Sequence, residues 1–380
     1  MCSEYIQQNL GPNGNKEHSG RMPHLAKNIR RGKENNLSKK KTFAELLEEQ
    51  FEDDFHTVSD IVNIDVIRTG SVSLDVSTGI GGIPRGKFTE LYGPESVGKT
   101  TLALSIAKQA LLEGISVLLV DIENTTTLQY IKSIIGEFDP TKLMFIQPET
   151  AEQAFKLCEA GVQCGDFGLV ILDSIGALAP EEEKEKEYTE STVALVPRLL
   201  TKFLRRNAYA VRDNNIAFLF INQVRDQIGS YTHAFSTPGG HGLKHFASLR
   251  IQLGVDNKLE IVTKTEKTQI GIQIKFTIKK NKLAAPGRAF SFPIIFNLGI
   301  DKVRDIINFA ETMGILDKRG SFYAFEGVNL GQGMLNTIEK INSDKLLLDR
   351  LEKACYNVLS NENLEIRNDD AKKLGDGEDL

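Results

Sequence analysis

The sequence contains no tryptophan, only four cysteines among 380 residues, and aromatic side chains at just 7% of its positions. Cys2, Cys158, Cys164 and Cys355 form neither a C-x-x-C pair nor a spacing typical of a metal centre. This pattern predicts four reduced thiols, with Cys158 on the buried face of a helix. It argues against a disulfide scaffold and against a zinc domain.

Long hydrophobic runs are missing as well. No stretch approaches the roughly 18 consecutive apolar residues that span a membrane, and the first residues lack the basic and apolar regions of a secretory signal. We therefore expect a soluble, cytoplasmic protein with no membrane partner. The net charge of -5 and the pI near 5.8 argue against a uniformly basic nucleic-acid binder, but a basic face on such a protein stays compatible with both values.

The most informative segment is residues 91–101, which carries the pattern G-x-x-x-x-G-K-[ST] of a phosphate-binding loop. A β-rich run at 88–92 precedes it and a helical run at 101–112 follows it, which is the context that such a loop requires. The sequence therefore predicts an ATP site in which Lys99 contacts the β- and γ-phosphates and Thr100 ligates Mg²⁺. The predicted nucleotide-binding residues of the loop are Gly93, Pro94, Glu95, Ser96, Val97, Gly98, Lys99, Thr100 and Thr101.

Between residues 61 and 296, β-rich runs alternate with helical ones. This alternation predicts βαβ units and a mostly parallel sheet between two layers of helices. The predicted strands are 88–92, 117–120, 143–146, 169–172, 217–221, 249–253 and 272–278. Ligands bind at the carboxyl ends of the strands in such a sheet, so the residues that follow each run are candidates for the active site.

Three strand ends carry polar side chains suited to nucleotide hydrolysis. Asp173 follows an apolar run and has the form of the Walker-B acid that holds Mg²⁺, although strand-end aspartates also form turns. Glu123 is the candidate base for the attacking water. Asn222 and Gln223 are candidate sensors of the γ-phosphate, because a neutral amide can bond this group and shift when it leaves.

The two ends of the chain differ in composition from its centre. Residues 1–41 are polar and basic, which predicts a disordered extension, with phosphate contacts as the alternative role. Residues 42–66 are expected to form a helix and a strand that dock on a neighbouring subunit, because apolar residues recur at helical spacing between residues 43 and 51. We expect the ATPase core at 67–297 and a small α+β domain at 298–360.

Within that small domain, the patterns predict helices at 301–314, 335–341 and 345–359 and a strand at 321–325. Residues 361–380 are expected to be an acidic, disordered tail. Such a tail either adds solubility or competes with duplex DNA for a basic face.

Several segments outside the phosphate loop resemble bacterial RecA recombinases, and the resemblance runs from about residue 43 to about residue 359. It implies a RecA-like P-loop ATPase core and a DNA-dependent ATPase that forms helical filaments on single-stranded DNA. Such filaments pair that strand with homologous double-stranded DNA and exchange strands in recombination, repair and the SOS response, with a nucleoid location and a LexA-type repressor as a candidate partner. The resembling segments are 69–75 (TGSVSLD), 173–178 (DSIGAL), 220–225 (FINQVR), 280–286 (KNKLAAP) and 331–333 (GQG).

The same resemblance implies roles for individual residues. It implies that Glu123 is the catalytic base, that Gln223 senses the γ-phosphate, and that Lys280 and Lys282 reach ATP from the neighbouring subunit, while Tyr130 stacks on the base. Two DNA-binding loops correspond to residues 180–197 and 225–242. The implied DNA-binding residues are Arg198, Arg205, Arg225, Ile228, Gly239, Gly240 and Lys244.

The sequence departs from the family pattern in four places. The first DNA loop is acidic over 181–187 and carries Lys186 where a glycine is usual. His245 replaces a phenylalanine that packs between subunits, Thr127 replaces an aspartate that contacts adenine, and the basic extension lies outside the pattern. Two further interpretations stay open: a RecA-fold motor or switch without strand exchange, and a DNA-bound filament scaffold that hydrolyses ATP poorly.

Overall fold

The computed structural model describes residues 64–185, 195–226, 235–262 and 267–359. The predicted N-terminal helix, the basic extension, the acidic tail, Lys186 and Ile228 lie outside these ranges, so their assignments stay predictions. The described elements of the larger part of the chain are β1 (Val66–Ile67), α1 (Val72–Ser77), β2 (Ile83–Pro84), β3 (Lys87–Gly93), α2 (Lys99–Leu112), β4 (Val117–Asp121), α3 (Leu128–Ile135), β5 (Leu143–Ile146), α4 (Ala151–Cys164), β6 (Leu169–Asp173), α5 (Glu181–Glu185), α6 (Leu195–Asp213), β7 (Ala217–Gln223), β8 (Arg225–Asp226), β9 (Phe235–Ser236), α7 (Gly240–Phe246), β10 (Leu249–Val262), β11 (Lys267–Asn281), β12 (Ala289–Ile295) and β13 (Gly299–Ile300).

A nine-stranded sheet lies at the centre, in the order β13-β12-β11-β10-β3-β7-β6-β4-β5. The strands from β10 to β5 pair in parallel, whereas β10 to β13 pair antiparallel in succession. Strands β4 and β6 are buried along their whole length, as expected where helices cover both faces. The prediction of a mostly parallel sheet between helices is confirmed.

Two hydrophobic clusters cover the opposite faces of this sheet. Leu119 and Ile171 belong to the cluster that includes α2. Their neighbours Leu118 and Val170 belong to the cluster that includes α4 and α6. Successive side chains of a strand point to opposite faces, so continuous apolar runs are needed to fill both clusters. This requirement explains why the buried strands are marked in the sequence by continuous apolar runs.

The antiparallel edge of the sheet differs from the prediction. Strands β10 and β11 extend well beyond the predicted ranges 249–253 and 272–278, and β12 and β13 were not predicted. Residues 255–258 and 267–269 are exposed, so cross-strand hydrogen bonds sustain the pairing there without a buried face. No hydrophobic pattern marks such a ribbon in the sequence.

The C-terminal part of the described chain packs against α1. A three-stranded antiparallel sheet, β14-β15-β16, and three helices share a third hydrophobic cluster with Val72 and Val76 of α1. The predicted helices and strand of this part are confirmed to within two residues at each end. Its elements are α8 (Lys302–Thr312), β14 (Asp317–Arg319), β15 (Phe322–Phe325), β16 (Val328–Gln332), α9 (Gly333–Ser343) and a final helix, α10, at 345–359.

Two buried carboxylates hold α1 to the C-terminal helices. Asp305 of α8 accepts hydrogen bonds from Ser71 Oγ at 3.0 Å and from Ser73 Oγ at 2.6 Å. Asp75 of α1 accepts from Thr69 Oγ1 at 2.7 Å and from the Tyr356 hydroxyl of α10 at 2.7 Å. Burial raises the pKa of Asp75 to about 7 and that of Asp305 to about 6, and these hydrogen bonds oppose the shift. The donors therefore offset part of the cost of burying the two acids.

One smaller prediction, the burial of Cys158, is met by the described residues. Cys158 is fully buried on α4, and burial raises the pKa of its thiol. Cys2 lies outside the described ranges. Over the described residues, no helix combines the length and the apolar character that crossing a bilayer demands.

Tyr356→Phe tests the bridge between α1 and α10. The change keeps the ring, which lies 4.6 Å from the Arg68 guanidinium, and removes only the hydroxyl that donates to Asp75. We expect the free energy of unfolding to fall by about 1–3 kcal/mol in urea denaturation at pH 8. The loss should be smaller at pH 5, because Asp75, with a pKa raised to about 7, is then protonated and no longer a buried charge. Tyr209→Phe, at a position 67% exposed, is the control, and an equal loss in both variants would contradict the bridge.

Candidate nucleotide-binding site

The carboxyl ends of the parallel strands enclose a cavity of about 470 Å³. Most residues predicted for the nucleotide site come together here. Three others, Ile272, Ile294 and Phe296, were not predicted. The lining residues are Glu95, Ser96, Gly98, Lys99, Thr100, Thr101, Glu123, Tyr130, Asp173, Gln223, Ile272, Ile294 and Phe296.

Two glycines shape the loop between β3 and α2. Gly98 has φ 82°, in the left-handed region, and a Cβ there would lie 2.9 Å from Ile294 Cδ1. A Cβ on Gly93 would lie 2.5 Å from the carbonyl oxygen of Leu253. Only glycine meets both demands without steric cost. The loop therefore packs closely on β10 and β12 and turns the N–H groups of the first turn of α2 toward the cavity.

Lys99 begins α2 with its ammonium folded over the loop. Its Nζ donates to the carbonyl oxygens of Gly93 at 3.1 Å and Pro94 at 2.6 Å. Burial lowers the pKa of Lys99, and the carboxylates of Asp173, Glu123 and Glu95 oppose that shift. A largely buried cation held by carbonyl dipoles is stabilised by an anion beside it. The loop therefore fits a phosphate group.

Thr100 and Asp173 place a hydroxyl and a carboxylate side by side. Thr100 Oγ1 donates to Asp173 Oδ2 at 2.6 Å. Burial raises the pKa of Asp173 to about 7, the Thr100 hydrogen bond lowers it, and the charges of Glu123 and Asp121 raise it further. Oxygen ligands of this kind suit Mg²⁺ when phosphate oxygens complete the coordination. The described residues contain no group of three or more His, Cys, Asp and Glu that could hold a metal alone, so the fit is to a metal shared with phosphates.

Glu123 lies at the rim of the cavity, held by two neighbours. Its Oε1 accepts hydrogen bonds from Gln223 Nε2 at 2.9 Å and from Ser174 Oγ. Ser174 is fully buried. The sequence places it with Asp173 at an informative strand end but assigns it no role. Glu123 therefore has a fixed orientation at the strand ends, as a general base requires.

Of the two predicted sensors, Gln223 alone lines the cavity. The Asn222 amide donates instead to Glu90 Oε1 at 2.9 Å and to the carbonyl oxygen of Pro238 at 3.0 Å. Adjacent residues of a strand face opposite sides, which explains the separation. The pairing of Asn222 with Gln223 as sensors is therefore corrected.

The far end of the cavity is aromatic and apolar. The Tyr130 hydroxyl shares a 2.6 Å hydrogen bond with Thr101 Oγ1. Thr127, where the family pattern has an adenine-contacting aspartate, caps α3 by accepting from the Tyr130 N–H at 3.1 Å. Tyr130 and Phe296 thus offer ring surfaces that suit stacking on a base. Ile272 and Ile294 lie on the antiparallel strands β11 and β12, which carry no functional signal in the sequence.

Lys280 and Lys282 do not line this cavity. Lys280 Nζ donates to the carbonyl oxygens of Lys244 at 2.6 Å and His245 at 3.0 Å, and Lys282 Nζ donates to that of His245 at 3.1 Å. Burial lowers the pKa of Lys280, and the charge of Lys282 lowers it further. Both lysines thereby cap the C-terminus of α7, where cations stabilise a helix.

The predicted DNA-binding residues that the structure describes meet at α6 and α7. Arg198 and Arg205 are exposed on α6, beside a shallow groove that Pro197, Thr201, Lys202 and Arg206 also line. Gly239 and Gly240 lie against α6, and Lys244 lies on α7. The side chain of Arg225 and all of Ile228 lie outside the described residues.

Residues 50–301 match the family model of the RecA N-terminal domain, and residues 304–359 match that of the RecA C-terminal domain. The chain belongs to the RecA family. Protein RecA of Thermus aquaticus is 38% identical to this RecA-family chain over 291 residues, which cover 76% of the chain and 84% of that protein. Protein RecA of Ectopseudomonas oleovorans is 36% identical over 292 residues, with 77% and 82% covered. A crystal structure of the RadB recombinase aligns with a TM-score of 0.46 and 23% identity, over 62% of this chain and 98% of that one.

Lys99→Ala tests the phosphate-binding loop. The ammonium supplies charge-assisted hydrogen bonds worth about 1.5–3 kcal/mol, so we expect the affinity for ATP to fall roughly 10- to 100-fold in a fluorescent-nucleotide titration. Lys108→Ala is the control on the same helix, because Lys108 Nζ donates to the Ile134 carbonyl away from the cavity. Equal ATP affinity in both variants would show that Lys99 does not bind the nucleotide.

Proposed function

We propose that this chain is an ATP-dependent homologous recombinase. It forms filaments on single-stranded DNA, pairs the bound strand with homologous duplex, and exchanges strands while hydrolysing ATP to ADP and phosphate. The observation that supports this most is a cavity lined by the phosphate-binding loop, together with an arginine-bearing helix, in a chain that matches both RecA domains. Membership of the family alone does not decide between recombination and other uses of the fold.

The residues of the cavity divide the work of hydrolysis. Lys99 and the first turn of α2 bind phosphate, and Thr100 with Asp173 holds Mg²⁺, which supplies charge neutralisation on the phosphates when bound. Glu123 orients the attacking water and takes its proton. Gln223 and Ser174 hold the Glu123 carboxylate in place, and Gln223 contacts the γ-phosphate.

Affinity for DNA comes from cations on α6 and α7. Arg198, Arg205 and Lys244 contact phosphates, which gives binding without sequence preference. Gly239 and Gly240 let the start of α7 pack closely against Leu200 and Pro197 of α6, so that the two helices form one DNA-binding face. Homology is then tested by base pairing and not by the protein.

A RecA-fold switch without strand exchange is the second candidate. It is favoured by the exposed carboxylates of Glu181, Glu182 and Glu183 on α5, which lie in the first DNA loop and repel phosphate. Strand exchange between circular single strands and homologous linear duplex decides between the two. Joint molecules formed in the presence of ATP support recombination, whereas ATP hydrolysis without joint molecules supports the switch.

Glu123→Gln tests the proposed base. The amide keeps the volume and the hydrogen-bonding reach of the side chain but cannot accept the proton, so the hydrolysis rate should fall by about 10²–10⁴. ATP and DNA should still bind, which leaves stable ATP-bound filaments in a sedimentation assay. Glu113→Gln, an exposed position at the end of α2, is the control. Normal turnover in Glu123→Gln would assign the base to another carboxylate.

Arg198→Ala and Arg205→Ala test the DNA contacts. Each removed phosphate contact should lower the slope of log affinity against log salt by about 0.7 for single strands, measured by fluorescence anisotropy. Arg212→Ala is the matched control, since Arg212 pairs with Asp213 at 2.7 Å near the other end of α6. Identical salt slopes in all variants would move the DNA site elsewhere.

A further inference from the structure

Glu90 is a buried carboxylate on β3 that does not line the nucleotide cavity. Its side chain is 1% exposed, and its Oε2 accepts from Arg250 Nε at 2.5 Å. The Arg250 guanidinium also lies 4.7 Å from the centroid of the Tyr92 ring. A buried ion pair often adds little to the free energy of folding, because desolvation offsets the attraction. Its best-supported role is to fix one conformation of the groups that it joins. Glu90 is therefore expected to fix the positions of Arg250 and of its second partner.

The second partner of Glu90 is Asn222, whose amide is fully engaged. Asn222 Nδ2 donates to Glu90 Oε1 at 2.9 Å and to the Pro238 carbonyl oxygen at 3.0 Å, and its Oδ1 accepts from the Gln223 N–H at 3.0 Å. One buried amide thus joins β3, the end of β7 and the segment that leads into α7. Gln223 is the next residue and lines the cavity. A movement of Gln223 when nucleotide binds therefore displaces the Asn222 amide directly.

From Pro238 the chain enters α7, which packs on α6 with little side chain between the two helices. A Cβ on Gly239 would lie 2.8 Å from Leu200 Cδ2, and a Cβ on Gly242 would lie 2.5 Å from Thr201 Oγ1. Close-packed contacts have low compressibility and transmit displacement. A movement at Pro238 therefore shifts the helix that carries Arg198.

Glu90 also reaches the other end of α7. Arg250 is the register partner of Lys280 in the β10–β11 ribbon, and Lys280 caps the last carbonyls of α7. Glu90 is therefore bonded directly to the support at the start of α7, through Asn222, and is linked by Arg250 and the β10–β11 pairing to the strand that carries Lys280.

We propose that Glu90 is a positioning residue that couples the nucleotide cavity to the DNA-binding face, by holding Asn222 and so fixing α7 on α6 relative to Gln223. This inference rests on the proposed ATP hydrolysis and DNA binding. Coupling between two binding sites is reciprocal and typically amounts to a factor of about 5 to 150. DNA on α6 and nucleotide in the cavity therefore tighten each other's binding by way of the same amide, and DNA-stimulated hydrolysis depends on that amide because Gln223 follows it directly.

Glu90→Asp is the decisive variant. The carboxylate that faces Arg250 is kept, but the shorter side chain cannot contact Arg250 and Asn222 together. We expect basal ATP hydrolysis and ATP affinity to stay at parental values, while the stimulation by single-stranded DNA falls about fivefold or more. The tightening of single-strand binding by a non-hydrolysable ATP analogue should also fall, and the tightening of analogue binding by single-stranded DNA should fall by the same factor as that binding effect.

Asn222→Ala has a matched control in Asn207→Ala. Asn207 is also a fully buried asparagine, whose Nδ2 donates to the Phe203 carbonyl at 2.9 Å and whose Oδ1 accepts from Gln163 Nε2 at 3.3 Å. We expect both variants to lose thermal stability but only Asn222→Ala to lose DNA stimulation. If Asn222→Ala does not fold, as judged by circular dichroism, Glu90→Asp decides alone.

Two outcomes overturn the inference. One is an equal fall of basal and stimulated rates in Glu90→Asp, which indicates a structural role. The other is parental DNA stimulation in Glu90→Asp, or in a folded Asn222→Ala. A parent protein that hydrolyses no ATP or binds no single-stranded DNA overturns the proposed function itself, and this result is visible before any variant is made.

Discussion

Parallel pairing of β3, β7, β6 and β4 is the constraint on which the rest of the site depends. Parallel strands end at the same edge of a sheet, and the register sets Gly93 beside Gln223 and Asp121 beside Asp173. The phosphate loop, the candidate metal ligand and the candidate sensor therefore meet although they are distant in sequence. Burial of these strands on both faces by separate hydrophobic clusters fixes that register.

Much of this arrangement is predictable from the sequence, because its signals are local. A glycine-lysine spacing marks the loop, and apolar runs mark the buried strands together with the polar residues that end them. Ile272, Ile294 and Phe296 were not predictable in this way, since they become part of the cavity only when the antiparallel strands fold beside β3. The position of Asn222 was predictable in principle from strand alternation, but its partners Glu90 and Pro238 are brought to it by tertiary structure alone.

Positions 127 and 245, two of the departures from the family pattern, leave the described framework intact. Thr127 replaces an aspartate yet acts as the N-cap of α3, which keeps Tyr130 at the cavity. The bonds from Lys280 and Lys282 to position 245 end on a carbonyl oxygen, so they do not depend on which side chain stands there. The His245 ring itself is exposed. The side chain at position 245 thus determines what the protein presents outward, while the support of α7 does not depend on it.

The buried carboxylates described above also bear on how the two family domains are related. The boundary between their matches falls at residues 301–304, yet Asp305 and Tyr356 on one side hydrogen-bond to Ser71, Ser73 and Asp75 on the other. Val72 and Val76 also share an apolar cluster with the C-terminal helices. Each part therefore buries polar and apolar side chains at this boundary only by contact with the other part. The two parts are thus distinct as sequence units but not interchangeable as building blocks, because the C-terminal part of another chain would have to supply an acid that matches Ser71 and Ser73 and a hydroxyl that matches Asp75.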